Sequence, residues 1–205
     1  MTVNMNRLLW AVIFSLVMIW SAIEPKDTFT WFLEVLPAMI GAAILLATLK
    51  SYPLTPLAYQ LILLHCIILM VGGHYTYAEV PLFDTLGDWF GWERNNYDKV
   101  GHLAQGFIPA MLAREIFIRN QVVSGRGWLF FLCVCFSLAF SAFYELIEWW
   151  VAAATGESAE AFLGTQGYQW DTQSDMMWAM LGAMLSQLTL AKLHDRQLTE
   201  VIHPN

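Results

Sequence analysis

Residues Trp128–Trp150 read WLFFLCVCFSLAFSAFYELIEWW. From Trp128 to Tyr144 this run holds no charged side chain. A helix of about 20 apolar residues crosses the hydrocarbon of a bilayer, and a run this long exceeds any strand of a soluble sheet. The stretch ends on Glu145 and Glu148, followed by Trp149 and Trp150. Acids three apart share one helix face. Acids at the edge of a membrane are costly unless a polar site needs them, whereas tryptophan favours that interface.

Five more apolar stretches lie outward from this one: Leu8–Ile23, Trp31–Leu49, Leu57–Gly72, Asp98–Ile118 and Ser174–Leu193. Together the six predict an all-α, polytopic membrane bundle of about six transmembrane helices, with residues 1–205 forming a single integral membrane domain. Composition agrees. Hydrophobic residues make up 58% of the 205-residue chain and charged residues 13%, against about 25% charged in soluble domains. The net charge is -7 and the ten Lys and Arg are scattered, which argues against nucleic acid as a partner. Arg7 and Leu8–Trp20 imitate a signal peptide, but no small-x-small site precedes Glu24-Pro25, so an uncleaved span is expected. Cys66, Cys133 and Cys135 all fall in apolar runs and read as small buried hydrophobes.

Turn chemistry separates the spans at Glu24-Pro25-Lys26-Asp27, at Tyr52-Pro53 with Pro56, and at Gly125-Arg126-Gly127. Two connections, Gly73–Tyr97 and Val151–Gln173, are longer than ordinary helix links and are expected to carry structure or function of their own. Lys and Arg set the orientation. Arg7, Lys50, Arg114, Arg119, Arg126, Lys192 and Arg196 fall on the side of the termini, and Lys26, Arg94 and Lys99 on the other. Cytoplasmic termini follow, with the long connections facing outward into a periplasm or the cell exterior.

That topology gives three acidic pairs one depth. Asp98 and His102 open the fourth span, Glu145 and Glu148 close the fifth, and Asp171 and Asp175 open the sixth, all on the outer side. Five carboxylates in one layer repel strongly in low dielectric, so protons, Lys99 and Arg94, or a bound cation must offset them. Carboxylates with one imidazole suit Zn²⁺, Mn²⁺ or Mg²⁺. Asp98, His102, Glu145, Glu148, Asp171 and Asp175 are therefore the candidate metal ligands. Glu145, Asp171 and Lys99 are the candidate catalytic groups. His74 and Glu79, just beyond Gly72-Gly73, are accessory candidates that can join from the third span. The acids Glu79, Asp84, Asp88, Glu93, Glu157 and Glu160 also read simply as solvated loop charges.

The strings Tyr97-Asp98-Lys99-Val100-Gly101-His102, Tyr144-Glu145-Leu146-Ile147-Glu148-Trp149 and Trp170-Asp171-Thr172-Gln173-Ser174-Asp175-Met176-Met177, with the turn Gly73-His74-Tyr75-Thr76-Tyr77, resemble the YjdF family of bacterial inner-membrane proteins. That likeness implies location rather than activity. A more distant resemblance is to VanZ-like membrane proteins, associated with low-level glycopeptide resistance. Asp98, Lys99, His102, Glu145, Asp175 and Gly182 match its pattern, whereas Glu148 and Ala179 depart from it.

Three function classes fit these residues. The first is divalent-metal-dependent chemistry on a lipid-linked or envelope small molecule, with a spare carboxylate as general base. The second is transport of a cation or proton. The third is a non-catalytic membrane factor that meets a partner through the aromatic outer loops, Gly87–Trp92 and Gly167–Trp170.

Overall fold

The computed structural model describes residues 2–156 and 160–202, and every regular element among them is a helix. In chain order these are α1 (Thr2–Ser21), α2 (Thr28–Thr48), α3 (Pro56–Tyr75), α4 (Pro81–Phe90), α5 (Tyr97–Arg119), α6 (Arg126–Thr155), α7 (Glu160–Leu163) and α8 (Asp171–Ile202). Local chemistry starts and stops them. The Asp27 carboxylate accepts from Thr30 N at 2.7 Å and opens α2. Thr55 caps α3 ahead of Pro56, and α3 runs through Gly72-Gly73 to end on Thr76 in the left-handed region. Each of the two long connections contains a helix, α4 in the first and α7 in the second. Among the acids expected on solvated loops, Glu157 lies outside the described residues.

The molecule is inverted relative to a soluble protein. Its exposed side chains include Leu46, Phe131, Phe143, Leu188 and Trp128, and its buried ones include Glu34, Arg114, Glu115, Asp175 and His194. Lipid accepts the first set, and only a shielded interior accepts the second. Helices α2, α3, α6 and α8 are long and apolar enough to cross a membrane, and α1 carries a shorter apolar stretch, Asn6–Ser21. The chain is thus an all-α polytopic membrane bundle.

Helix α5 is the most instructive. It contains Asp98, Lys99, His102, Gln105, Arg114, Glu115 and Arg119, yet only Ile116 along it is exposed. It packs against α3, α6 and α8, so it has almost no lipid face and need not be apolar. Its contact with α8 is backbone on backbone. A Cβ added at Gly106 would strike the carbonyl of Ala179, and one at Gly182 would strike the carbonyl of Leu103. Small residues at such crossings let helices approach closely in a membrane.

The opposite end from the acidic pairs holds a second polar knot. Glu115 is 0% exposed and accepts from Thr55 N (3.0 Å), Thr55 Oγ1 (2.7 Å) and Arg119 (3.0 Å). Arg114 can only donate, so His194 Nδ1 accepts from it at 2.9 Å. The His194 proton therefore sits on Nε2 and is donated to Glu115 at 3.1 Å. Arg114 also donates to Asp195 at 2.6 Å, and Arg119 donates to the Pro53 carbonyl at 2.7 Å. The knot ties the start of α3 to the ends of α5 and α8.

Candidate metal centre

Three helices deliver the outer acids to one place. Asp98 and His102 lie one turn apart on α5, and α8 runs parallel beside them with Asp175 in its first turns. His102 Nε2 is 3.2 Å from Asp98 Oδ1 and 3.9 Å from Asp175 Oδ2. On the other edge of the ring, Nδ1 donates to Gln105 Oε1 at 3.0 Å. That bond fixes the imidazole and leaves Nε2 aimed at the two aspartates. A ligand histidine is held in this way, its second nitrogen donating to a neighbouring oxygen. Ligands about 2.0–2.2 Å from one ion lie about 3–3.5 Å from each other. The His102–Asp98 separation falls within that range and the His102–Asp175 separation lies somewhat above it.

Glu145 and Glu148 arrive from α6. Glu145 Oε1 is 3.9 Å from His102 Nδ1, and ligand atoms of His102, Glu145 and Glu148 come within 4.8 Å of one another, as do those of Asp98, His102 and Asp175. Glu145 Oε1 is a buried carboxylate oxygen with no hydrogen-bond partner, while Asp98 Oδ2, also without one, faces Arg94 and Lys99 at 3.6 Å each. Buried acceptors are ordinarily satisfied, so the Glu145 oxygen calls for a proton, an ion or a water.

Asp171 has a different place. Arg94 donates to its Oδ1 at 2.6 Å and Lys99 donates to the same atom at 3.0 Å. Lys99 also donates to Asp175 Oδ1 at 2.6 Å. Tyr168 stacks beside both cations, its ring centroid 5.5 Å from each. Asp171 is thus the anchor of an ion-pair lattice at the rim and lies outside the two groups that close on His102. Lys99 orients Asp175 and Asp171 together. His74 and Glu79 lie with the α1–α2 turn. His74 Nδ1 faces the Ser21 carbonyl at 3.1 Å and its ring rests on Trp20, while Glu79 pairs with Lys26 at 2.7 Å. That exposed pair raises the Lys26 pKa above its ordinary value through the Glu79 hydrogen bond.

The structure adds a carboxylate that reading by pairs misses. Glu34 of α2 is buried and accepts from Tyr144 Oη at 3.0 Å. It lines a cavity of about 30 Å³ together with His65, Tyr77, Asp98, His102 and Glu148. Its signal in the sequence is a lone acid inside an apolar run, which by itself marks a polar site in a membrane. Gln105, a neutral amide three residues beyond His102, gives a weaker polar signal of the same kind. With Glu34, six carboxylates meet two fixed cations, Arg94 and Lys99. Such an imbalance in low dielectric requires protons or a cation.

A multi-pass helical membrane protein with a buried carboxylate–histidine cluster at one end is the class that fold and site define. The chain belongs to the family described as "Predicted membrane protein (DUF2238)", whose model matches residues 6–196. It is 54% identical over 188 residues to "Inner membrane protein YjdF" of Escherichia coli (strain K12), covering 92% of this chain and 90% of that one. No solved structure matches it. The protein resides in the bacterial inner membrane, and the distant VanZ-like likeness gains no support from these matches.

Proposed function

We propose that this inner-membrane protein binds one divalent cation, Zn²⁺, Mn²⁺ or Mg²⁺, through Asp98, His102 and Asp175. Glu145 and Glu148, on the Nδ1 edge of the His102 ring, complete the acidic wall, and Glu145 is the candidate proton acceptor. The observation that carries this reading is His102: its Nδ1 is committed to Gln105, and its Nε2 faces two carboxylates. The unpartnered oxygen of Glu145 supports it. The cavity of about 30 Å³ beside the centre, lined by Glu34, Asp98, His102 and Glu148, has room for a water. A lipid-linked or envelope substrate would meet the centre at the rim, where the cations Arg94 and Lys99 and the Tyr168 ring lie. The seven-to-three distribution of Lys and Arg supports cytoplasmic termini and an outward-facing centre.

Elemental analysis of the purified protein tests the proposal. About one divalent ion per chain is expected, with loss of about 100-fold in affinity for His102→Ala and Asp175→Asn. Asp171→Asn should weaken binding far less, because it acts through Lys99. Equal metal content in all four proteins, or none in the unaltered one, overturns the reading. Cation transport is the second reading. The same excess of buried acid favours it, and cation-driven flux in proteoliposomes distinguishes it.

A further inference from the structure

We propose that a cavity at the end of the bundle opposite the acidic centre binds the phosphate headgroup of an anionic phospholipid. Arg126 and the first N–H groups of α6 hold the phosphate, and Arg114 completes the site from α5. The inference is independent of whether the acidic centre holds a cation.

The cavity has a volume of about 620 Å³, within the range of about 300–1,000 Å³ typical of ligand sites. Its walls include Arg114 and Ile118 of α5, Gly125 of the following turn, Arg126 and Leu129 of α6, and Asp195 of α8. Two guanidiniums thus meet one carboxylate. Arg114 donates to Asp195 Oδ1 at 2.6 Å, and that pair balances its own charge. Arg126 is exposed and has no hydrogen bond or ion pair among the described residues, so the cavity keeps a net positive charge. Arg114 itself is only 7% exposed. Among the described residues it donates to His194 and Asp195, which uses two of its five donors. A buried guanidinium with donors to spare on a cavity wall calls for an acceptor there.

The turn Gly125-Arg126-Gly127 adds a backbone component. Gly125 has φ +90°, a conformation that favours glycine, and it gives α6 no side-chain cap. The first N–H groups of this 30-residue helix are therefore open to an anion. A Cβ at Gly127 would meet nothing within 4 Å, so the approach is clear. Depth identifies the source of the phosphate. From Trp128 to Tyr144 α6 carries no charge, and Arg126 lies only about 3 Å along the axis before that run begins. Trp128 and Phe131 are exposed on the same turns, and in this bundle an exposed ring faces lipid. Ile118 and Leu129 give the cavity apolar walls, which suit the start of an acyl chain and which a free phosphate does not need. Basic pockets between transmembrane helices bind phospholipid headgroups by this combination.

Native mass spectrometry of the full chain in detergent, with phosphatidylglycerol and phosphatidylcholine in competition, tests this. About one phosphatidylglycerol per chain is expected to stay bound, in preference to phosphatidylcholine, whose choline cation Arg126 repels. Arg126→Gln should weaken that binding about fivefold or more, the effect of one cation at a membrane surface. Lys50→Gln, an exposed change at the same end of the bundle, should leave it unaltered. No preference between the two lipids, or equal loss in both variants, overturns the proposal. Excess inorganic phosphate should leave the phospholipid in place. Its displacement overturns the lipid source and gives the cavity to a free phosphate. Should Arg126→Gln prove unstable, the unaltered protein decides: phosphatidylglycerol should raise its thermal midpoint more than phosphatidylcholine does, and equal midpoints overturn the proposal.

Discussion

Gly106→Leu is expected to abolish the folded bundle, and Gly106→Ala to lower its thermal midpoint sharply. At this crossing α5 meets the backbone of α8, because the position a Cβ would take falls on the Ala179 carbonyl. Gly182 makes the reciprocal contact with Leu103. A side chain that meets another side chain can be relieved by a rotamer change, at about 1–3 kcal/mol. A side chain that meets backbone moves the whole helix. Such a shift reaches the centre, since His102 lies one turn before Gly106 and Asp175 one turn before Ala179. The expected result is therefore double: an earlier melt in detergent and a cation affinity reduced by about tenfold or more. A Gly106→Ala protein that melts and binds like the unaltered one contradicts the close crossing.

The second large effect is expected at the other end. Glu115→Ala removes the acceptor of two Thr55 donors, of the His194 N–H and of Arg119. Breaking a buried ion pair by deleting one partner costs about 3–5 kcal/mol, since the remaining charge stays buried. Deleting the Asp27 cap of α2, by comparison, costs about 1 kcal/mol. Denaturant titration in mixed micelles should rank the two in that order. Glu115→Ala should still bind its cation at low temperature, because the knot is at the far end of α5. Loss of binding with unchanged stability would mean that the knot has a part in the chemistry.

The apolar runs located the helices because lipid imposes a uniform demand on any residue that faces it. The ends were less legible. Helix α8 continues from Leu193 to Ile202, and α6 from Trp150 to Thr155, as polar or mixed helix that hydropathy cannot delimit. The meeting of Asp98, His102, Glu145 and Asp175 was readable from their common depth and helical spacing. Lys99 and Arg94 were legible as offsetting cations, but that both converge on Asp171 and hold it at the rim was not, since spacing along α8 says nothing of their reach. His74 and Glu79 share the depth but fall on the α1–α2 side, a position around the bundle that a linear topology does not define. Glu34 escaped because it has no neighbour of its own kind. Arg114 and Arg119 were counted as topology markers, whereas their charges are taken up by Asp195 and Glu115.

The account turns on His102. Crystals of the protein grown with Mn²⁺ or Zn²⁺, measured at the absorption edge of that metal, put the question directly. The predicted result is one anomalous peak about 2.0–2.2 Å from His102 Nε2, with a carboxylate oxygen of Asp98 and of Asp175 at similar distance. A map with no peak there, and His102 bonded only to Gln105 and Asp98, contradicts it.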